Sequence, residues 1–311
     1  MKLAAKVALG LLLISAALVS TVEVRRYRTP AETIAATAGF SGERAFDDLQ
    51  ELVRLGPRPP GSQALQQARE YITRQLAAAG AKVWDDSFVA VTPVGKIPMT
   101  NVIGAFRGGS DGLIVLAGHY DTARLNDVSF VGANDGGSSA AFLLEVARAL
   151  SHRKKKLTYW VVFFDGEEAL QQWSATDSLY GSRHLAARLA VSGELRRIRA
   201  LILLDMVGDR HLDILRESNS TPWLSELIFS EAQRLGYAAH FAGGTYPVED
   251  DHLPFVQEGV PAVDLIDVTP FKSYHHTIAD TIDKCAPQSL AIVGQVVLAT
   301  LETLENKFYV P

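Results

Sequence analysis

The stretch VVFFDGEEALQQW, from Val161 to Trp173, runs four apolar residues directly into Asp165, Gly166 and the adjacent glutamates Glu167 and Glu168. The same pattern, an apolar run ending in acid or histidine, recurs along the chain. It gives His119 and Asp121 in GHYD and Asp205 in LLDMVG. Loops add Asp135 in GANDGG, Asp250, Asp251 and His252 in DDH, and His275 with His276 in HHTIADT. No lysine or arginine stands at these strand ends to neutralise them. Carboxylates that converge without a cation repel each other and raise one another's pKa. A bound metal relieves that repulsion. Mixed histidine and carboxylate donors suit zinc, with three protein ligands and one open position. One such residue alone is most often a cap or a hydrogen-bonded loop residue; their recurrence at one sheet edge points to a metal site. There is no HExxH helix, so the ligands must come from several loops.

The elements that position these residues alternate in type. FDDLQELVRLG reads as a helix stopped by GPRPPGS, and SQALQQAREYITRQLAAAG as a second, with Ser62 as N-cap and Gly80 as stop. AKVWDDSFVA and MTNVIGAFRG read as strands. From there, strands in GLIVLAGHYD, LTYWVVFFD, ALILLDMVG and VPAVDLID alternate with amphipathic helices, the last being QSLAIVGQVVLATLETLEN. This implies an α/β domain with a mostly parallel central sheet covered by helices on both faces. Ligands then bind at the carboxyl ends of the strands, where the acids and histidines fall. Gly132, Gly136 and Gly137 around Asp135 supply positive φ and room, and let Asp135 approach a metal. The loop lacks the lysine and the spacing of a phosphate cradle. Ser138 and Ser139 lack a nucleophile elbow and read as the start of a helix.

The chain has 311 residues, 48% hydrophobic and 21% charged, with a formal net charge of −5. One large domain fits this length. The charge argues against nucleic acid as a partner; the basic run HRKKK, His152 to Lys156, reads as a solvated loop. Cys285 is the only cysteine, so an intrachain disulfide and a cysteine-rich metal site are excluded. At the N-terminus, Lys2 and Lys6 precede an apolar run from Val7 to Val19, followed by Arg25, Arg26 and Arg28. Residues 1–30 therefore read as a signal peptide or an N-terminal membrane anchor, and residues 31–311 as the catalytic domain. The expected location is exported, periplasmic or extracellular, with possible membrane association through this segment. A monomer is expected.

Taken together, GHYD, GANDGG, FFDGEE, LLDMVG and HHTIADT resemble the zinc aminopeptidase clan of the M28 type. Within it, DGEEALQQWSATDSLYGSRHLA and DDHLPFVQEGVPAV resemble the glutaminyl-peptide cyclotransferases, over about Phe46 to Tyr309. The resemblance implies one catalytic zinc held by Asp135, Glu168 and His276, with Glu167 as general acid and base. It implies catalytic roles for Asp205 and Asp250, hydrogen-bonding near the substrate, and a substrate contact from Trp173. Phe271 and His275 are added as substrate-site candidates, with His275 open between a metal-shell group, a surface residue and a pocket wall. The expected reaction is attack by the α-amine of an N-terminal glutamine, in a peptide or protein, on its own γ-carbonyl, releasing ammonia and leaving pyroglutamate. The chain departs from animal members, which carry Trp where His275 stands and a disulfide near the GHYD strand. The rival reading is a two-zinc aminopeptidase, with His119 and Asp205 binding a second zinc, Asp135 bridging and Glu167 activating water.

Overall fold

The computed structural model describes residues 39–125, 128–268 and 272–309. The segment 1–30 and Phe271 lie outside these described residues. Helix α1, Gly42–Arg54, starts at the N-cap Ser41, whose hydroxyl accepts from Arg44 N. Helix α2, Gln63–Ala78, starts at Ser62, whose hydroxyl accepts from Leu65 N. Each cap satisfies a backbone N–H that the helix itself cannot. Strands β1, Lys82–Thr92, and β2, Gly95–Phe106, form an antiparallel hairpin at one edge of the sheet.

The centre of the sheet is dry. Every residue of β3, Leu113–His119, is buried, and so is every residue of β4, Thr158–Phe164. Continuous apolar runs of this kind belong to strands covered on both faces. Helix α3, Ser139–Ser151, connects β3 to β4, and helix α4, Tyr180–Ser192, connects β4 to β5, Ile198–Asp205. Helix α5, Pro222–Arg234, and the short α6, Leu253–Gln257, precede β8, Ala262–Ile266; the closing helix α7 spans Pro287–Phe308. A two-residue pair, β6 (Arg216–Glu217) with β7 (Thr245–Tyr246), stands apart from the main sheet.

The strand order is β1-β2-β4-β3-β5-β8, with β4, β3, β5 and β8 parallel, β2 antiparallel to β4, and β1 antiparallel to β2. The expected mostly parallel sheet is therefore present, as are the expected strands and helices. The small β6–β7 pair was not foreseen, because two residues carry no period. Ser139 opens α3 as expected, whereas Ser138 falls in the turn before it.

The strand order locates the site. From β3 the chain returns beside it on one side as β4, while from β5 it continues outward on the other side to β8. The connections diverge between β3 and β5, and a crevice opens at their carboxyl ends. Those ends are His119 and Asp205. Among the described residues, no helix is long and apolar enough to cross a membrane.

Candidate active site

At that crevice His119 Nε2 stands 3.2 Å from Asp205 Oδ1 and 3.3 Å from Asp135 Oδ1. Asp135 comes from the turn Ala133–Ser138, whose shape only glycine permits. Gly136 has φ +72°, and a Cβ there would lie 2.4 Å from Asp121 O and 2.9 Å from the His119 ring. Two buried side chains hold this turn. Asp280 accepts from the N–H groups of Asn134 and Asp135, at 2.8 and 3.1 Å. The Arg58 guanidinium donates to the carbonyls of Tyr120, Val131 and Gly132.

The two glutamates enter from the other side. Asp121 accepts from Glu167 N with one oxygen, at 3.2 Å, and from Glu168 N with the other, at 3.3 Å. Beyond the backbone their settings differ. Glu168 Oε1 accepts from Ala123 N and faces His276 Nε2, both at 3.1 Å. Glu167 Oε2 lies 3.8 Å from His119 Nδ1. Burial, with the charges of Glu168, Asp250 and Asp251, pushes the Glu167 carboxyl well up, against the opposing pull of His119. Burial and Asp135 also raise Glu168, with His276 pulling it back. Asp250 is raised by burial and by its neighbours Asp205 and Asp251. Burial works against the charged form of Asp135 too, yet the His119 and His276 imidazoles hold it low.

His276 Nε2 also lies 3.2 Å from Asp135 Oδ2, and His275 Nε2 lies 3.5 Å from that oxygen. The two rings stack, with centroids 3.9 Å apart. Burial lowers the His275 pKa, whereas contact with Asp135 and Glu168 outweighs burial and raises His276 to about 10. Backbone strain concentrates here. The non-glycine residues with positive φ among those described are His276, Met206 directly after Asp205, and Leu179, whose N–H bonds Glu167 O. Such conformations persist only where the surroundings enforce them.

These donors fit zinc. Asp135 Oδ2 and His119 Nδ1 are buried and make no hydrogen bond among the described residues. Tetrahedral zinc, with bonds of ~2.0–2.1 Å, holds its ligand atoms about 3.3 Å apart. Asp135 and Glu168 lie at that spacing from His276. The ligand atoms of Asp135, His275 and His276 can all lie within 4.8 Å of one another, and so can those of His119, Asp135 and Asp205. Geometry alone therefore accommodates either one metal or two.

The crevice deepens into a pocket of about 450 Å³ lined by Asp135, Glu167, Glu168, Asp205, Asp250, His275 and His276. Met206, Val248, Ile266 and Val268 supply its apolar wall and Trp173 stands at its mouth. Asp135, Glu167, Glu168, Trp173, Asp205, Asp250, His275 and His276 thus line one cavity, whereas His119, Asp121, Asp251 and His252 are buried outside its lining. A wider groove of about 660 Å³ carries Arg196, Arg199 and Lys307 and none of the strand-end acids. Trp173 is placed by the segment that follows it. Asp177 accepts from the N–H groups of Leu170, Gln171 and Gln172, each at 2.9 Å, and from Tyr180 Oη at 2.8 Å. Arg183 binds the carbonyls of Ala175, Ser178 and Leu179. Sequence reasoning missed the supporting roles of Asp121, Asp280, Asp177 and Arg58. Only Asp177 carried a signal, as an acid closing a turn that begins at Ser174.

Residues 101–301 match the model of peptidase family M28. A glutaminyl-peptide cyclotransferase-like protein of Bos taurus is 34% identical over 273 residues, covering 78% of this chain and 71% of its own. The structure of an Acidobacteriales bacterium glutaminyl cyclase superimposes with a TM-score of 0.82 at 42% identity, over 86% of this chain and 96% of that one. A zinc-dependent exopeptidase of Parabacteroides distasonis shares the fold with a TM-score of 0.77 at 26% identity, over 84% of this chain and 98% of its own. The chain belongs to peptidase family M28 and, within it, to the glutaminyl-peptide cyclotransferases.

Proposed function

We propose that this protein cyclises the N-terminal glutamine of peptides and proteins to pyroglutamate and releases ammonia, at one zinc ion held by Asp135, Glu168 and His276. The carrying observation is a buried carboxylate, Glu167, beside those ligands in an apolar-walled pocket with Trp173 at its mouth. Zinc bound there supplies Lewis-acid polarisation of the γ-carbonyl. Glu167 takes a proton from the α-amine as the nitrogen bonds to the γ-carbonyl carbon. It returns that proton to the amide nitrogen as the carbon–nitrogen bond breaks, so no net proton is gained or lost. This exchange needs a pKa raised towards the working pH, and burial among other carboxylates supplies that. Asp205 and Asp250 accept hydrogen bonds from the amine and orient it. Trp173, Met206 and Val268 form an apolar wall that keeps the side chain folded back on its own amine, replacing a bimolecular encounter with a positioned one.

The aminopeptidase reading keeps one supporting observation, the compact grouping of His119, Asp135 and Asp205. Two measurements separate the readings. Gln-peptides and a Leu-anilide are offered to the purified protein, and zinc is counted per chain. Ammonia release with a matching mass loss, at one zinc per chain, supports cyclisation. Leucine release without pyroglutamate overturns it. Residues 1–30 direct export or anchor the chain to a membrane, and the catalytic domain, residues 31–311, acts as a monomer.

A further inference from the structure

In the cyclisation reading, an N-terminal glutamine fills the inner pocket among Glu167, Asp205 and Asp250. The next Cα lies about 3.8 Å along the chain, so the second residue of the substrate sits at the mouth. Trp173, 37% exposed, Tyr246, 49% exposed, and the exposed Glu249 form that mouth. The Trp173 indole Nε1 donates to Glu249 Oε2 at 3.3 Å, joining the two walls. Glu249 is held in register by its neighbour. Val248 N donates to the buried Glu217 at 3.0 Å, and Val248 O accepts from Asn219 Nδ2 at 3.1 Å. Among the described residues, no lysine or arginine lines this pocket. Its rim therefore presents a fixed carboxylate above an interior that is already acidic.

We infer that Glu249 is a specificity-determining residue that favours substrates with lysine or arginine directly after the N-terminal glutamine and disfavours an acidic residue there. The inference rests on the cyclisation reading. Rim charges act mainly on encounter and ground-state binding, so the effect falls on KM and weakens with salt. A partly exposed pair changes binding modestly, by about three- to tenfold when attraction and repulsion are compared.

The test measures kcat/KM of the zinc-loaded protein on amidated Gln-Lys-Ala, Gln-Ala-Ala and Gln-Glu-Ala, at low and high salt. The wild type is expected to prefer the lysine peptide over the glutamate peptide by about three- to tenfold at low salt. Glu249→Gln brings that ratio towards one, and Glu249→Lys inverts it. Because each ratio is internal to one enzyme, a general loss of activity in either variant does not affect the comparison. Turnover with the same ratio in the wild type and Glu249→Gln overturns the inference and leaves cyclisation standing. Failure of the wild type to cyclise any of the three peptides overturns the cyclisation reading, and this inference with it.

Discussion

Glu167 and Glu168 share a peptide bond and an anchor, Asp121, yet their carboxylates meet different partners. Glu168 faces His276 and a backbone N–H, which offset part of the burial that raises its carboxyl and direct it at the ligand histidine. Glu167 is buried near other carboxylates and opposed mainly by His119, a setting in which a proton can be held and released. Glu167→Gln should therefore lower kcat by about 10²–10⁴-fold while zinc stays bound. Glu168→Gln should lose zinc, measured as metal per chain after dialysis, and activity with it. Wild-type rates in Glu167→Gln would remove it from the chemistry. These residues were legible in the sequence because each sits where an apolar run breaks into charge. Asp121, Asp280 and Arg58 were not legible as supports. Their partners are backbone groups, in part distant in sequence, and a buried acid has the same letter as an exposed one.

Two short segments around the pocket mouth depend on single buried acids. Asp177 gathers three successive N–H groups of the loop leading to Trp173. Asp177→Ala strands those donors, at a cost of ~1–3 kcal/mol. It should also raise KM, with zinc content unchanged, because the tryptophan loses its position. An unchanged KM would mean that the loop does not serve the substrate. Glu217 ties β6 to Val248 and accepts from Ser220 and Asn219 while facing His252. Burial opposes its ionisation, but His252 and the N–H groups of Asn219 and Val248 outweigh that and lower its pKa to about 2. A carboxyl depressed on folding adds stability that is fully present above its unfolded pKa of about 4.3. That stability is lost as pH falls towards the folded value. Urea unfolding of Glu217→Gln should therefore show its largest deficit near neutral pH, and the gap to the wild type should narrow below about pH 4.3. A gap independent of pH would mean that Glu217 acts by shape alone. The main elements were readable because parallel strands and their helices carry long periods. The segment 245–249 was not, because its conformation is set by Glu217 and Asn219 rather than by any local pattern.

Across the whole molecule, an apolar sheet and an acidic crevice divide the work. The strands β3, β4 and β5 are packed by side chains such as Val115, Val162, Phe164 and Leu203, none of them a candidate metal ligand. Around their carboxyl ends lie buried carboxylates, Glu167 and Asp250 among them, whose mutual repulsion a bound cation would relieve. Stability should then split into a part that survives chelation and a part that does not. Removing zinc should leave far-ultraviolet circular dichroism near its native value and lower Tm. An ion present at about a hundred times its Kd contributes ~2.7 kcal/mol, which for a chain of this size is about 4–5 °C. Zinc should restore both Tm and activity. Magnesium should restore neither, because it seeks near-octahedral oxygen coordination and takes imidazole poorly. Loss of the far-ultraviolet signal on chelation would make the ion part of the fold. An unchanged Tm would mean that Asp135, Glu168 and His276 are held in place by protein contacts alone. The division explains why one sheet can carry either a cyclase or an exopeptidase: the strands set where the acids converge, and the loops after them decide what reaches those acids.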